Sequence, residues 1–286
     1  MHKYIFLLPL YNDWESLQLV LAKISEQMVI LKYEAEILVV NDFSSVKPDK
    51  FKNFENLNKI KILNLNRNVG SQKAISIGLN YLKNLKEKSI ITVLDSDGED
   101  DITKIPIMIK AAKENERKVI VSTRSRRQEN LIFKIAYFFH KLITLLFTLR
   151  WISFGNYSSF NSKQLDKILI NNYSWLALSS CLAKNCELLR INAERKKRLT
   201  GISKLSVFGL VSHSLRVITV FLPRVLLLSL IFILILSQLH ILGTNLILIL
   251  VSLIIIFNLS LIFTHIFNNQ KDFTDSENLI EKIENV

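Results

Sequence analysis

The sequence has few cysteines and lacks the common nucleotide-binding signatures. Its two cysteines, Cys181 and Cys186, are too few for a disulfide framework and no neighbouring ligands complete a zinc site, so we expect both to be reduced and structural. The chain contains neither Gly-x-Gly-x-x-Gly after its first apolar run nor Gly-x-x-x-x-Gly-Lys-Ser/Thr anywhere, which excludes a dinucleotide fingerprint and a P-loop. The N-terminal apolar run is too short for a signal peptide, so we expect the first domain not to be exported.

The charge of the chain and the distribution of its apolar residues indicate what it binds. A formal net charge of +12 favours nucleic acid, a membrane surface or a phosphorylated substrate. The 286 residues suffice for one sizeable catalytic domain and a further segment. Mean hydropathy is +0.26, and much of the apolar excess lies between Val207 and Phe267. We therefore expect a globular domain up to about Lys204.

Apolar runs of strand length alternate with helical patterns through the first part of the chain. The predicted strands cover 4–8, 36–40, 60–65, a run that begins at 90, and 118–122, with helices over 14–31, 72–86 and 103–113. This order predicts a mostly parallel α/β sheet with helices on both faces. Right-handed crossovers place the strand ends at one edge, so we expect the segments that follow them to converge there. We also expect Asp13 to cap the first helix.

The run that begins at residue 90 ends in a cluster of carboxylates. Asp95 and Asp97 are two residues apart and would share a face if the strand continued, whereas Gly98 allows the chain to turn. Two carboxylates at a sheet edge predict a site for Mg²⁺ or Mn²⁺, completed by water and substrate phosphates. The alternative is an acidic turn before a helix, since acidic residues favour the first helical turn.

Basic residues follow the fifth predicted strand. Arg124, Arg126 and Arg127 predict a phosphate-binding group at the sheet edge, with a solvated basic loop as the alternative. The segment 131–150 is too charged to cross a bilayer and too aromatic and basic for an ordinary soluble helix. We expect an interfacial helix there, with a buried core helix as the alternative.

Two long uncharged segments lie near the end of the sequence. After a juxtamembrane helix over 205–223, the runs 225–242 and 246–267 have the length of membrane spans and predict a transmembrane hairpin over 224–267. The loop between them has no Lys or Arg, so the positive-inside rule predicts that both ends are cytoplasmic. The flanking basic residues are Lys204, Arg216, Arg224 and Lys271. The domains expected are thus 1–204, 205–223, 224–267 and a flexible polar tail over 268–286.

Several short motifs occur in a fixed order along the chain. They are Leu8-Pro9-Leu10-Tyr11-Asn12-Asp13, Val39-Val40-Asn41-Asp42-Phe43-Ser44-Ser45, Asn66-Arg67-Asn68-Val69-Gly70 and Asp95-Ser96-Asp97. Together they resemble family 2 glycosyltransferases. Arg198 and Gly201-Ile202-Ser203-Lys204, before a juxtamembrane helix, make the chain most similar to polyprenyl-phosphate glycosyltransferases of the dolichyl-phosphate mannose synthase type. The resemblance implies a GT-A type nucleotide-diphospho-sugar transferase domain. The chain departs from the pattern at Phe43, where glycine is commoner, and after the acidic motif, where Asp101-Ile102 replaces the usual proline.

The resemblance also implies a role for each matching residue. The nucleotide sugar would be bound by Pro9, Tyr11, Asp13, Asp42, Arg67, Gly70, Asp95 and Ser96, with Asp42 recognising the base. The metal would be held by Asp95, Asp97 and Glu99. The acceptor phosphate would be bound by Arg124, Arg126, Arg127, Arg198, Ser203 and Lys204. Of these, Asp97, Arg124, Arg198 and Lys204 would be catalytic.

The activity implied by the resemblance is transfer of a sugar from a UDP- or GDP-type nucleotide sugar to a polyprenyl phosphate. It would occur at the cytoplasmic face of a bacterial inner membrane, by metal-assisted displacement at the anomeric carbon, and would serve cell-envelope polysaccharide. No nucleic-acid partner is implied, and an exposed hairpin could support a homo-oligomer. One alternative is a lipid-linked saccharide or polysaccharide acceptor, which would need a base such as Asp100 or Asp101. Another is a non-catalytic membrane scaffold, against which Asp42, Asp95 and Asp97 argue.

Overall fold

The structure is a computed structural model that describes residues 3–46, 51–124, 142, 144–194, 196, 198–200, 207–239, 243–268 and 270–286. The chain forms two units. The first comprises Met1–Gln128, Ser153–Lys204 and Gln270–Val286, and the second comprises Glu129–Ile152 and Leu205–Asn269. This division differs from the domains expected from the sequence in three places, because 129–152 belongs to the second unit, 205–223 and 224–267 belong to one unit, and 270–286 belongs to the first.

An eight-stranded sheet forms the centre of the first unit, in the order β7-β5-β6-β4-β1-β2-β3-β8. The strands are β1 (Lys3–Leu10), β2 (Ala35–Asn41), β3 (Leu57–Leu65), β4 (Ser89–Val93), β5 (Lys118–Arg124), β6 (Phe154–Asn161), β7 (Glu187–Ala193) and β8 (Ile280–Asn285). β1 pairs in parallel with β2 and β4, β2 with β3, and β5 with β7, whereas β6 and β8 run antiparallel to their neighbours. The mostly parallel α/β sheet predicted from the sequence is confirmed.

Helices connect these strands. They are α1 (Trp14–Leu31), α2 (Ser71–Leu85), α3 (Ile105–Glu114), α4 (Leu165–Ile168), α5 (Tyr173–Leu176) and α6 (Leu178–Asn185), with short 3₁₀ turns at Ile102–Lys104 and Ser162–Gln164. The apolar face of α1 is fully buried at Leu17, Val20 and Ile24 and packs into the core beneath the sheet. Burying such a side chain contributes about 1.5–3 kcal/mol, so this periodic face holds the helix against the strands.

The residues that follow the apolar helices return to the sheet. A short helix α10 (Gln270–Thr274) and a 3₁₀ turn at Ser276–Leu279 lead into β8, which pairs antiparallel with β3. The expectation of a flexible tail is therefore wrong. β8 is an edge strand whose side chains stay mostly exposed, so its backbone hydrogen bonds to β3, rather than apolar burial, hold it there. A polar composition does not reveal that kind of pairing.

The second unit contains the apolar helices α7 (Val207–Thr219), α8 (Leu222–Gln238) and α9 (Thr244–Ile266). Among the described residues, α9 is the one helix long and apolar enough to cross a membrane. The helices α7 and α8 are bent by 92° relative to each other, and they make a second span only if the two count as one. α8 alone has 17 residues. Only Leu261 of α9 is buried, and such an exposed apolar surface favours lipid as its surroundings. The Ser229 hydroxyl of α8 donates to Asn258 Oδ1 of α9 at 3.1 Å.

The predicted interfacial helix over 131–150 lies mostly outside the described residues. The structure describes 142 and 144–150 of this segment. Its interfacial position stays a prediction.

Candidate active site

The ends of β1, β2 and β4 lie at one edge of the sheet, since these strands are neighbours and parallel. Leu10 pairs with Asn41 in the register of β1 and β2, and Leu7 pairs with Val93 in that of β1 and β4. The chain beyond β4 has left the strand when it reaches Asp95, and it turns at Gly98. A turn, rather than the alternation of a continuing strand, therefore presents the acidic residues.

The Asp42 carboxylate holds the loop between β3 and α2. Its Oδ1 accepts a hydrogen bond from the Val69 amide at 2.7 Å and its Oδ2 accepts one from the Gly70 amide at 2.8 Å. The side chain of Asn68 donates to the Asp42 carbonyl oxygen at 3.1 Å. Burial raises the pKa of Asp42, and the two amides oppose that shift. Asp42 thus organises the loop predicted to bind the nucleotide, and its contact with a base stays a prediction.

The Asp95 carboxylate is oriented by two amide side chains that no sequence motif marks as site residues. Asn156 of β6 donates to Asp95 Oδ1 at 2.9 Å, and Gln72 at the start of α2 donates to Asn156 Oδ1 at 3.0 Å. The Gln72 Oε1 accepts a hydrogen bond from the Leu178 backbone amide at 2.7 Å. This contact fixes the orientation of the Gln72 side chain, which in turn orients Asn156. Asn156 reaches Asp95 because β6 lies beside β4 in the sheet. The sequence does not reveal this strand order, so it could not identify Asn156 as a site residue.

Arg198 joins two acidic residues that follow neighbouring strands, Asp13 after β1 and Asp97 after β4. Its Nη2 donates to Asp13 Oδ2, and its Nη1 lies 3.8 Å from Asp97 Oδ2. Asp13 does not cap α1 with its side chain, so that expectation is wrong. The Asp13 carboxylate binds the Arg198 guanidinium and not the backbone amides of α1, because a charged group is a stronger hydrogen-bond donor than a backbone amide. Leu199 donates its amide to the Asp97 carbonyl oxygen at 3.1 Å, which places the basic segment against the acidic turn.

The acidic turn carries an electrostatic cost. Asp97 Oδ1 accepts from the Glu99 amide at 3.0 Å, yet burial and the negative charge of Asp95 raise the pKa of Asp97 to about 6. The charge of Asp95 beside Asp97 fits a divalent cation, which would neutralise both carboxylates. Within the described part of the chain, no group of three His, Cys, Asp or Glu residues is placed to hold a metal, so Glu99 does not complete a protein-only site. A cation held by two carboxylates and by substrate phosphates is compatible with this arrangement.

The remaining predicted residues occupy varied positions. Pro9 is part of β1, the Ser96 side chain is buried and Tyr11 is half-exposed. Arg67 forms an ion pair with Asp272 at 2.5 Å. Arg124 ends β5, and Arg126, Arg127, Ser203 and Lys204 lie outside the described residues.

The fold is similar to that of solved glycosyltransferase structures. Glucosyl-3-phosphoglycerate synthase from Mycobacterium tuberculosis, in complex with Mn²⁺, uridine-diphosphate-glucose and phosphoglyceric acid, matches with a TM-score of 0.54 and 11% identity over 78% of this chain and 80% of that one. Mannosyl-3-phosphoglycerate synthase from Rubrobacter xylanophilus matches with a TM-score of 0.51 and 12% identity over 78% and 74%. At these identities the likeness shows the fold alone.

Sequence relatives indicate the family more directly. Undecaprenyl-phosphate 4-deoxy-4-formamido-L-arabinose transferase of Photorhabdus laumondii is 31% identical over 144 residues, which is 49% of this chain and 42% of that protein. The uncharacterized glycosyltransferase YkcC of Bacillus subtilis is 25% identical over 226 residues, 74% of this chain and 68% of that protein. Except for YkcC, the chain spans about 42% of the length of the first relatives it matches. The model of glycosyl transferase family 2 matches residues 6–172, more than half of the sequence, and the chain belongs to that family.

Proposed function

We propose that the chain is a membrane glycosyltransferase that moves a sugar from a UDP- or GDP-type nucleotide sugar to a polyprenyl phosphate. The observation that carries this proposal is the contact of Arg198 with the acidic turn, which places a cationic group 3.8 Å from the Asp97 carboxylate. One relative is named for undecaprenyl phosphate, and one structural neighbour was crystallised with Mn²⁺ and UDP-glucose. An acceptor phosphate and a donor diphosphate both need positive charge, which fits these findings.

The proposed chemistry is a displacement at the anomeric carbon. An oxygen of the acceptor phosphate forms the new bond to that carbon while the bond to the diphosphate breaks. Asp95 and Asp97 would hold a divalent cation, Mg²⁺ or Mn²⁺, which neutralises the departing diphosphate when bound. Arg198, held by Asp13, would orient the acceptor phosphate without any strong base, because that phosphate is already an anion.

The path of the chain supports a membrane hairpin. Ser153–Lys204 and Gln270–Val286 belong to one unit, so in this proposal the segment between them leaves and re-enters a bilayer on the same side. That requires an even number of crossings. α9 meets the length of one span, and for the other we propose α8, whose 17 residues lie at the lower limit of span length. Arg216, Arg224 and Lys271 flank the pair, so the positive-inside rule favours a cytoplasmic catalytic unit and cytoplasmic termini.

A transfer assay tests the proposal. Membranes that contain the protein are incubated with radiolabelled UDP- and GDP-sugars and polyprenyl phosphate, and label is followed into the lipid phase. We expect Asp97→Ala and EDTA each to abolish transfer while the variant stays inserted. Asp166→Ala serves as the matched control, because Asp166 is an exposed carboxylate paired only at the surface with Lys83 at 2.8 Å. Absence of labelled lipid with every donor would refute the acceptor, and full activity in EDTA would refute the metal.

A further inference from the structure

The segment from the end of β3 to the first turn of α2 contacts the Asp42 carboxylate directly and the Asp95 carboxylate through Asn156. We call residues 66–72 the donor loop. Its Val69 and Gly70 amides bind Asp42, and its Gln72 reaches Asp95 through Asn156. A change in the position of this one loop therefore changes the orientation of both carboxylates.

The segment that follows the apolar helices forms hydrogen bonds and an ion pair with the donor loop. We call residues 270–286 the C-terminal clasp. The Asn66 amide donates to the Leu279 carbonyl oxygen at 3.0 Å, and the Asn66 side chain donates to the Asn278 carbonyl oxygen at 3.0 Å. Arg67 Nη2 lies 2.5 Å from Asp272 Oδ2. Backbone and side-chain contacts thus fix the first two residues of the loop.

The clasp is itself anchored on both sides of the donor loop. On one side β8 pairs with β3, and the Val286 amide donates to the Ile60 carbonyl oxygen at 2.9 Å. On the other side Ser276, 1% exposed, accepts a hydrogen bond from Asn80 of α2 at 2.7 Å. The ring of Phe273 packs edge to face against Trp175, with centroids 5.8 Å apart. Anchors on the strand before the loop and on the helix after it leave the loop little freedom.

We propose that the C-terminal clasp is a positioning element of the donor site and that Asp272 is a positioning residue that acts through Arg67. This inference rests on the proposed function, in which the donor loop serves the nucleotide sugar. It extends the site beyond residues 6–172, which the family model matches, to a segment that follows the membrane helices. The affinity for the nucleotide sugar then depends on the position of the C-terminal clasp in the catalytic unit.

Equilibrium binding to the full-length protein in detergent tests the proposal, with UDP-glucose and GDP-mannose as probes in the presence of Mn²⁺. We expect Asp272→Asn to raise the Kd and the donor KM about 2- to 5-fold, the range for losing a partly exposed ion pair, with kcat and the acceptor KM unchanged. Asp272→Glu should restore binding. Asp166→Asn is the matched control, because it breaks an exposed ion pair between Asp166 of α4 and Lys83 of α2. It should leave the Kd and the donor KM unchanged.

A double-mutant cycle separates action through Arg67 from a general loss of stability. Arg67→Ala should weaken binding at least as much as Asp272→Asn, and the double variant should be no weaker than Arg67→Ala alone. The proposal would be overturned if the losses of binding free energy in the two single variants added in the double variant, or if Asp272→Asn left the Kd unchanged.

Hydrogen exchange gives a readout that does not depend on any ligand. In Asp272→Asn the Val69 and Gly70 amides should exchange about 2- to 5-fold faster than in the wild type, because their bonds to Asp42 open more often. Unchanged exchange would contradict the clasp. If the wild type binds neither probe, the proposed donor chemistry fails, and the exchange rates still decide whether the clasp holds the loop.

Discussion

Replacing Asp97 by asparagine should stabilise the metal-free protein while it abolishes sugar transfer. Burial and the charge of Asp95 raise the pKa of Asp97 to about 6 from the ordinary value of 3.8. One pKa unit corresponds to about 1.4 kcal/mol, so keeping Asp97 ionised in the folded protein costs about 3 kcal/mol at neutral pH. The side chain is 22% exposed and water screens part of this cost, so we expect a gain of about 1–2 kcal/mol in Asp97→Asn.

The sign of the effect sets its pH dependence. The folded pKa lies above the ordinary value, so protonated Asp97 favours the folded state at low pH. That contribution is fully present below the ordinary value of 3.8 and is lost as the pH rises through about 6. The advantage of the asparagine variant should therefore be small at about pH 4 and complete above about pH 7.

Thermal unfolding of the detergent-solubilised protein without metal measures the difference. At neutral pH the midpoint of Asp97→Asn should exceed that of the wild type by about 2–8 °C, and the difference should shrink on acidification. Mn²⁺ should raise the midpoint of the wild type but not that of the variant, since a ligand stabilises only the state that binds it. Asp166→Asn should leave the midpoint unchanged. A midpoint of Asp97→Asn below that of the wild type at neutral pH would refute the electrostatic argument.

Three further substitutions test the geometry of the site. Asn156→Leu removes the hydrogen bond to Asp95 and should weaken nucleotide binding about 10-fold or more in an equilibrium titration, since a bond to a charged group contributes about 1.5–3 kcal/mol; unchanged binding would contradict the orienting role. Gly98→Ala should lower the thermal midpoint, because φ is +76° and the new Cβ would lie 2.4 Å from Leu199 Cδ1. Gly70→Ala, with φ of +88° and open space around it, should lower the midpoint less, and an equal loss would show that the contact with Leu199 is immaterial.

The sequence predicted the elements whose burial is periodic. The runs that became β1 to β5 are apolar and the helices between them have apolar faces, so their order defined the sheet and the edge at which Asp42 and Asp95 lie. The family motifs then marked the same edge. Hydrophobic periodicity reports burial, and these elements are held in place mainly by the burial of their apolar side chains.

The parts that the sequence did not predict depend on which distant segments meet. β6 enters the sheet between β4 and β5, which brings Asn156 to Asp95, and Arg198 reaches Asp13 across most of the chain. Neither contact has a local signature. The edge strand β8 is held by backbone hydrogen bonds that any side chains allow, so its polar composition suggested a flexible tail.

The return of β8 to β3 also affects how the protein is made. During synthesis the edge of β3 stays unpaired until residues 280–285 have left the ribosome, and by then the apolar helices have already been translated. An unpaired strand edge is a template for association with other chains. The sheet is thus completed only after the apolar helices have been synthesised, and a delay in their proposed insertion into a bilayer should expose the nascent chain to aggregation.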